Sequence, residues 1–233
     1  MELFYQPDIL SGIHYLDEEE SRHCVKSLRH GNGDVIFIAD GRGTLFKARI
    51  TVANAKKCEF KIVSHDRHAE KYYSIHIALA PTKNIDRTEW FIEKSVEIGI
   101  ERISFYFTNR SERKKIKMDR MRRKAISAMK QSGHFNLPMI HQWKDLESFL
   151  NQLPDGCLKG IAHVDPKNPI QLKDFATRHQ TYVVLIGPEG DFTPEELKLA
   201  EDHGFTRVSL GPYRLRTETA ALVACHTLNL INQ

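Results

Sequence analysis

Cysteine is scarce and scattered. Cys24, Cys58, Cys157 and Cys225 are the only four, and they form no CxxC pair, which argues against a zinc ribbon or a disulfide framework and predicts reduced, mostly buried thiols. No apolar run approaches membrane-spanning length, and the opening stretch MELFYQPDIL lacks the basic start and apolar block of a signal peptide. A cytoplasmic protein with no membrane partner is therefore expected. There is neither a GxGxxG nor a GxxxxGK[ST] motif, which weighs against a nucleotide-dependent α/β enzyme. Twelve histidines occur without ligand spacing. His65 and His68, the nearest to a metal pair, fall in a polar stretch read as a solvated linker, and no metal is expected. Internal repeats and low-complexity tracts are also missing.

What is present divides into two rhythms. Up to about residue 70 turns come often, at Gly31-Asn32-Gly33-Asp34 and Asp40-Gly41-Arg42-Gly43. Between and after them lie three apolar or alternating stretches, Val35–Ala39, Thr44–Ile50 and Cys58–Val63, which read as strands of a small β-barrel or meander, with one helix over Glu18–Leu28. Ser64–Lys71 is the expected linker. From Ser74 strands alternate with helices, implying a parallel sheet built from βαβ units. The strand candidates are Ile75–Ala80, Ile103–Phe107, Gly160–Val164, Tyr182–Ile186 and Arg207–Leu210. One helix is expected from a cap at Asp86 to Gly99, another over Met118–Gln131, and an apolar one over Glu218–Ile231.

The net charge of +4 is small, but its distribution is uneven. From Arg110 to Lys124, nine basic residues face only Glu112 and Asp119, the footprint of a polyanion-binding surface or of a solvated helix face. A second cluster, Arg22, His23, Lys26, Arg29 and His30, favours an extended nucleic acid over a small acidic metabolite.

LIGPEGDFTPEEL, residues 185–197, joins a strand to a helix: Thr193 can cap that helix, with Pro194 at its first position and Glu196 completing a capping box. Ligands of open α/β sheets bind at such strand ends. Here Glu189 and Asp191 would meet a phosphate with like charge, so the turn suits either a plain structural role or a ligand needing close backbone contact. S-adenosylmethionine, with its sulfonium cation, is such a ligand. A second turn, Gly211-Pro212-Tyr213-Arg214-Leu215-Arg216, places two arginines just before a helix N-terminus, where the helix dipole disfavours cations. Either an anionic partner or a nearby carboxylate explains them.

LIGPEGDFTPEEL followed by LGPYRLRTETAALVA resembles the paired C-terminal motifs of the ribosomal RNA small subunit methyltransferase E family, in the SPOUT superfamily. The resemblance extends over almost the whole chain. Residues 22–29 (RHCVKSLR) with Gly33-Asp34 match the family's N-terminal part, residues 87–94 (RTEWFIEK), 97–99 (EIG) and 108–111 (TNRS) its first βαβ unit, and Lys130-Gln131-Ser132 its next helix. Two positions depart from the pattern: His134 stands where an arginine is expected, and Asp191 where glycine is commoner. The resemblance implies a PUA-like β-barrel binding RNA over 1–70 and a trefoil-knotted α/β methyltransferase domain with a parallel sheet over 71–233. It further implies a homodimer that transfers a methyl group from S-adenosylmethionine to N3 of one uridine in the 16S ribosomal RNA of the small subunit, leaving S-adenosylhomocysteine.

On that reading the cofactor cleft comprises Leu185, Gly187, Pro188, Glu189, Gly190, Leu210, Gly211 and Leu215. Arg216, Arg214 or Arg110 donates to the uracil oxygens or flanking phosphates, and Glu189 or Glu218 orients an arginine or accepts the imide proton. Arg22, Lys26 and Arg29, with Lys114, Lys115, Arg120, Arg122 and Arg123, hold RNA phosphates. A related knotted enzyme acting on a ribose 2′-hydroxyl or a guanine, or an RNA-binding assembly factor with an idle cleft, are the competing readings.

Overall fold

The computed structural model describes residues 2–69, 71–163 and 170–233. These form two compact units, Met1–Glu70 with Ile126–Leu137, and Lys71–Ala125 with Pro138–Gln233.

The first unit is built on a four-stranded sheet in the order β1 (Leu3–Tyr5), β2 (Val35–Ala39), β3 (Thr44–Val52), β4 (Glu59–Arg67). β1 runs parallel to β2, and the other pairs are antiparallel. Along β3 the residues Phe46, Ala48 and Ile50 turn inward at every second position and bury against Phe4, Leu16 and Ile38, as a strand with one wet face must. Gly41 and Gly43 adopt left-handed backbone at the β2–β3 turn. The buried Asp40 carboxylate secures this turn by accepting from the N–H groups of Arg42 at 2.7 Å and Thr44 at 3.0 Å.

Three expectations change in this unit. β1 was not foreseen, because three residues are too few to show a period. The helix expected over 18–28 is α1 (Glu18–Arg22), capped by Asp17, followed by a wider π-type turn over His23–Ser27. β4 continues through Arg67, so the first half of the expected linker is strand: cross-strand pairing with Thr44–Lys47 supplies backbone partners that polar composition does not reveal. His65 there lies against the ring of Phe46, with 5.7 Å between centroids.

The second unit carries six parallel strands in the order β10-β8-β9-β5-β6-β7. In chain order these are β5 (Ser74–Leu79), β6 (Arg102–Phe105), β7 (Met139–Gln142), β8 (Leu158–Ala162), β9 (Thr181–Ile186) and β10 (Thr206–Val208). β9 sits between β8 and β5, and its Tyr182–Ile186 run is buried throughout, which is why that stretch shows no polar alternation. β7, which the sequence reading missed, is an edge strand with one buried residue, Ile140.

α2 (Ile85–Ile98) is capped by Asn84, not Asp86: the Asn84 side chain accepts from the Asp86 N–H at 3.1 Å. α3 (Met118–Ser132), α4 (Leu146–Leu150), α5 (Leu172–Phe175) and α6 (Pro194–Asp202) follow. The Thr193 and Glu196 capping box on α6 is formed as read from the sequence. α7 (Thr217–Ile231) packs on α2 and β5, burying Ala221, Ala224 and Leu228. All four cysteines are free, and Cys24, Cys58 and Cys225 are buried. Among the described residues no helix is long and apolar enough to cross a membrane, and no cluster of His, Cys, Asp or Glu could hold a metal.

Candidate cofactor cleft and active site

The chain leaves β9 at Ile186 and turns through Gly187–Asp191 before α6. It leaves β10 at Val208 and turns through Ser209–Arg216 before α7. Both turns, with the end of β8, line one cavity of about 650 Å³. Its walls mix apolar groups of Ile186, Val208, Leu210, Leu215 and Ala220 with the charged Glu189, Asp191, Arg214 and Arg216. The Thr217 hydroxyl donates to the Gly187 carbonyl at 3.1 Å, tying the second turn to the first.

The first turn is held from three further sides. Tyr106, fully buried, donates its hydroxyl to the Ile186 carbonyl at 2.8 Å, and burial pushes its phenol pKa well up, with the nearby Glu196 and Asp191 adding to the shift. Arg110 donates to the carbonyls of Gly190 at 2.9 Å and Phe192 at 3.2 Å. Glu196, besides completing its capping box, accepts from the Asn109 N–H at 3.3 Å. Gly187 and Gly190 leave little room for a side chain. A β-carbon at Gly187 would meet the Phe192 ring at 3.0 Å, and one at Gly190 would meet Arg110 at 3.2 Å.

Of the residues assigned to the cofactor cleft, Gly187, Pro188, Glu189, Leu210, Gly211 and Leu215 line the cavity, whereas Leu185 and Gly190 are not among its lining residues. Leu185 faces the sheet core and is fully buried, because the strand runs one residue further before the chain turns. Gly190 has its carbonyl taken by Arg110.

Among the residues given chemical roles, Arg214, Arg216 and Glu189 line the cavity, while Arg110 and Glu218 do not. Arg214 donates to the Glu189 carbonyl at 3.2 Å, and the exposed Arg216 side chain has no partner among the described residues. The Glu189 Oε1 accepts from the Lys83 N–H at 2.9 Å, while its buried Oε2 has no hydrogen-bond partner among the described residues. Glu189 also borders a second hollow of about 410 Å³ lined by Lys83, Asn84, Arg87 and Glu112. Glu218 is instead buried in the first turn of α7, 3.7 Å from Arg87 Nε on α2.

The residues assigned to RNA divide by what they touch. Arg22 pairs with Glu18 at 2.9 Å, Lys114 donates to the Thr108 carbonyl at 3.0 Å, and Arg120 pairs with Asp86 and Glu89. Lys26, Arg29, Lys115, Arg122 and Arg123 are exposed and without partners among the described residues. His134 is half-buried just after α3, its N–H on the Met129 carbonyl.

His163, Gln171, Ser209 and Thr217 also belong to the cavity wall and were not foreseen. The strand-end rule that found the other turns would have found His163, had β8 been read to end at Ala162. A strand drawn to Val164, which lies outside the described residues, hid it mid-strand.

The chain matches the family model of the RNA methyltransferase domain over residues 69–229 and that of the RNA methyltransferase PUA domain over residues 16–63. It is 31% identical to the ribosomal RNA small subunit methyltransferase E of Mesomycoplasma hyopneumoniae, over 85% of this chain and 86% of the other. The chain belongs to the ribosomal RNA small subunit methyltransferase E family. A solved structure of a family member from Neisseria gonorrhoeae, bound to S-adenosyl methionine, is 28% identical with a TM-score of 0.83, covering 100% of this chain and 98% of that one. A structure from Porphyromonas gingivalis is 40% identical with a TM-score of 0.92 over the same shares. In this chain the GPEGD and GPYRLR turns form two walls of one cavity.

Proposed function

We propose that the protein methylates N3 of a uridine in the 16S ribosomal RNA of the small subunit, with S-adenosylmethionine as donor and S-adenosylhomocysteine as product. The observation that carries this reading is the single cavity shared by the two family motifs. Its volume falls within the range typical of small-ligand sites. Its wall fits the donor in kind: apolar side chains for the adenosine, and carboxylates instead of a phosphate cradle. Gly211, at φ +132° with open space where a β-carbon would stand, allows close backbone approach. The backbone of Gly187–Glu189, Leu210, Gly211 and Leu215 would hold the donor.

When bound, S-adenosylmethionine supplies an electrophilic methyl on a sulfonium. The chain must then remove the imide proton and stabilise negative charge spreading onto the uracil oxygens. Glu189 is the proton acceptor in this reading: it lines the donor cavity, and one carboxylate oxygen lacks a partner while the other is anchored on Lys83. Glu218, turned toward Arg87 outside the cavity, is a positioning residue that joins α7 to α2. Arg216 is the donor to the uracil oxygens, being the arginine of the two whose guanidinium is uncommitted. Arg214 and Arg110 brace the Gly187–Asp191 turn.

Lys26, Arg29, Lys115, Arg122 and Arg123 supply phosphate contacts, and the target base is turned out or taken single-stranded. The catalytic domain has the family's knotted thread and acts as a homodimer. The exposed apolar side chains of Trp90 on α2 and Leu230 on α7 are available to a second copy. Incubation with labelled methyl donor and unmethylated small ribosomal subunits, followed by nucleoside analysis, tests the whole reading. Label in 3-methyluridine is the expected result; label in a ribose-methylated nucleoside or a guanine would replace it.

A further inference from the structure

Asp191 is an unusual residue for its place. It takes φ +60° in the turn after β9, a left-handed conformation that glycine adopts freely and that costs other residues on the order of 1 kcal/mol. The carboxylate is nevertheless firmly placed. Its Oδ1 accepts from the Phe192 N–H at 2.8 Å, and its Oδ2 lies 3.2 Å from His163 Nδ1. The residue's own N–H donates to the Pro188 carbonyl at 3.0 Å, and Arg110 grips the carbonyls on both sides of it, those of Gly190 and Phe192. Asp191 and His163 both line the cavity. A turn that glycine would close without strain thus carries a fixed carboxylate in the wall of the donor site.

The proposed reaction changes the charge of its cofactor. The methyl group leaves without the bonding pair, so a sulfonium cation becomes a neutral thioether, and the proton released by the uracil nitrogen passes to Glu189. We propose that Asp191, held by His163, is a specificity-determining residue that favours the charged donor over its neutral product, so that fresh donor competes more effectively for the cleft after each turnover. The inference rests on the cofactor reading given above. With 36% of the Asp191 side chain and 17% of the His163 side chain exposed, water screens the carboxylate in part, and the preference it confers is roughly three- to tenfold.

Titration calorimetry with S-adenosylmethionine and S-adenosylhomocysteine, on the wild type, Asp191→Asn and Asp191→Gly, tests the proposal. Asparagine keeps the shape, tolerates left-handed backbone and removes the charge. Both variants should bind the donor about three- to tenfold more weakly and the product within about twofold of wild type, and the glycine variant should show no loss of thermal stability. Parallel weakening of both ligands, or no change in either, overturns the proposal while leaving the cofactor reading intact. A wild type that binds neither ligand overturns both.

Discussion

The two arginines of the second turn are separated by one residue yet differ in what they can do. Arg214 is engaged with the Glu189 carbonyl, whereas Arg216 faces the cavity with no partner among the described residues. Arg216→Ala should therefore lower turnover by roughly a hundredfold, the scale of losing one donor to a developing oxyanion, with donor affinity changed by less than about threefold. Single-turnover rates set against calorimetric affinities check this, and equal losses in both would assign Arg216 to cofactor binding instead. Glu189→Gln, which retains an acceptor for Lys83 but no base, should lower the single-turnover rate by about 10²- to 10⁴-fold.

His76, on β5, is a residue of a different kind. It is buried, 2.9 Å from the Ser104 hydroxyl, and desolvation, followed by the charges of Arg102 and His141, holds its pKa down to about 3. The folded state thus keeps it neutral, while the unfolded chain takes up a proton near pH 6.5. The stability this neutrality provides is full above pH 6.5 and is lost as pH falls from there toward 3, by up to about 1.4 kcal/mol per pH unit. Urea unfolding at pH 7 and pH 5 should show a smaller loss for His76→Asn than for wild type, by about 2 kcal/mol. Equal losses would place the acid sensitivity elsewhere.

At the scale of elements, α6 illustrates how local code and tertiary contact combine. Its capping box was legible because Thr193, Pro194 and Glu196 act within one turn of each other. Removing the cap with Thr193→Ala should lower stability by about 1 kcal/mol, read from the denaturant midpoint. That Glu196 also accepts from Asn109, 87 residues away, was not legible. The same contrast holds for α2. Asp86 looked like its cap because Glu89 follows at the right spacing, but the helix begins two residues earlier, at Ile85, with Asn84 as cap. Short-range rules name the candidates for an end; the direction of the chain arriving there selects among them.

At the scale of the whole molecule, RNA affinity should be governed by cations that the protein itself leaves unpaired. The logarithm of affinity should fall linearly with that of salt, and replacing Arg122 and Arg123 with glutamine should reduce the slope by roughly 1.4 to 1.8. Arg120→Gln should alter that slope far less, since Asp86 and Glu89 already hold Arg120. Filter binding across a salt series distinguishes these outcomes. In the sequence the basic run is uniform, and nothing in it separates Arg120 from Arg122; a helix period carries one of them toward the acidic residues of α2 and the other toward water.

The sequence by itself determined the type and order of most elements, the two helix-opening turns, the β9 run and the family. Each of these is written in patterns spanning a few to a dozen residues: periodicity, capping and turn chemistry. Tertiary structure alone decided that the turns after β9 and β10 share one cavity, which charged residues face it, and that His163 joins them. Those outcomes depend on a strand order in which β9 enters between β8 and β5, bringing together residues far apart in the chain. Local propensity is indifferent to that choice, because it follows from burying both faces of the sheet at once.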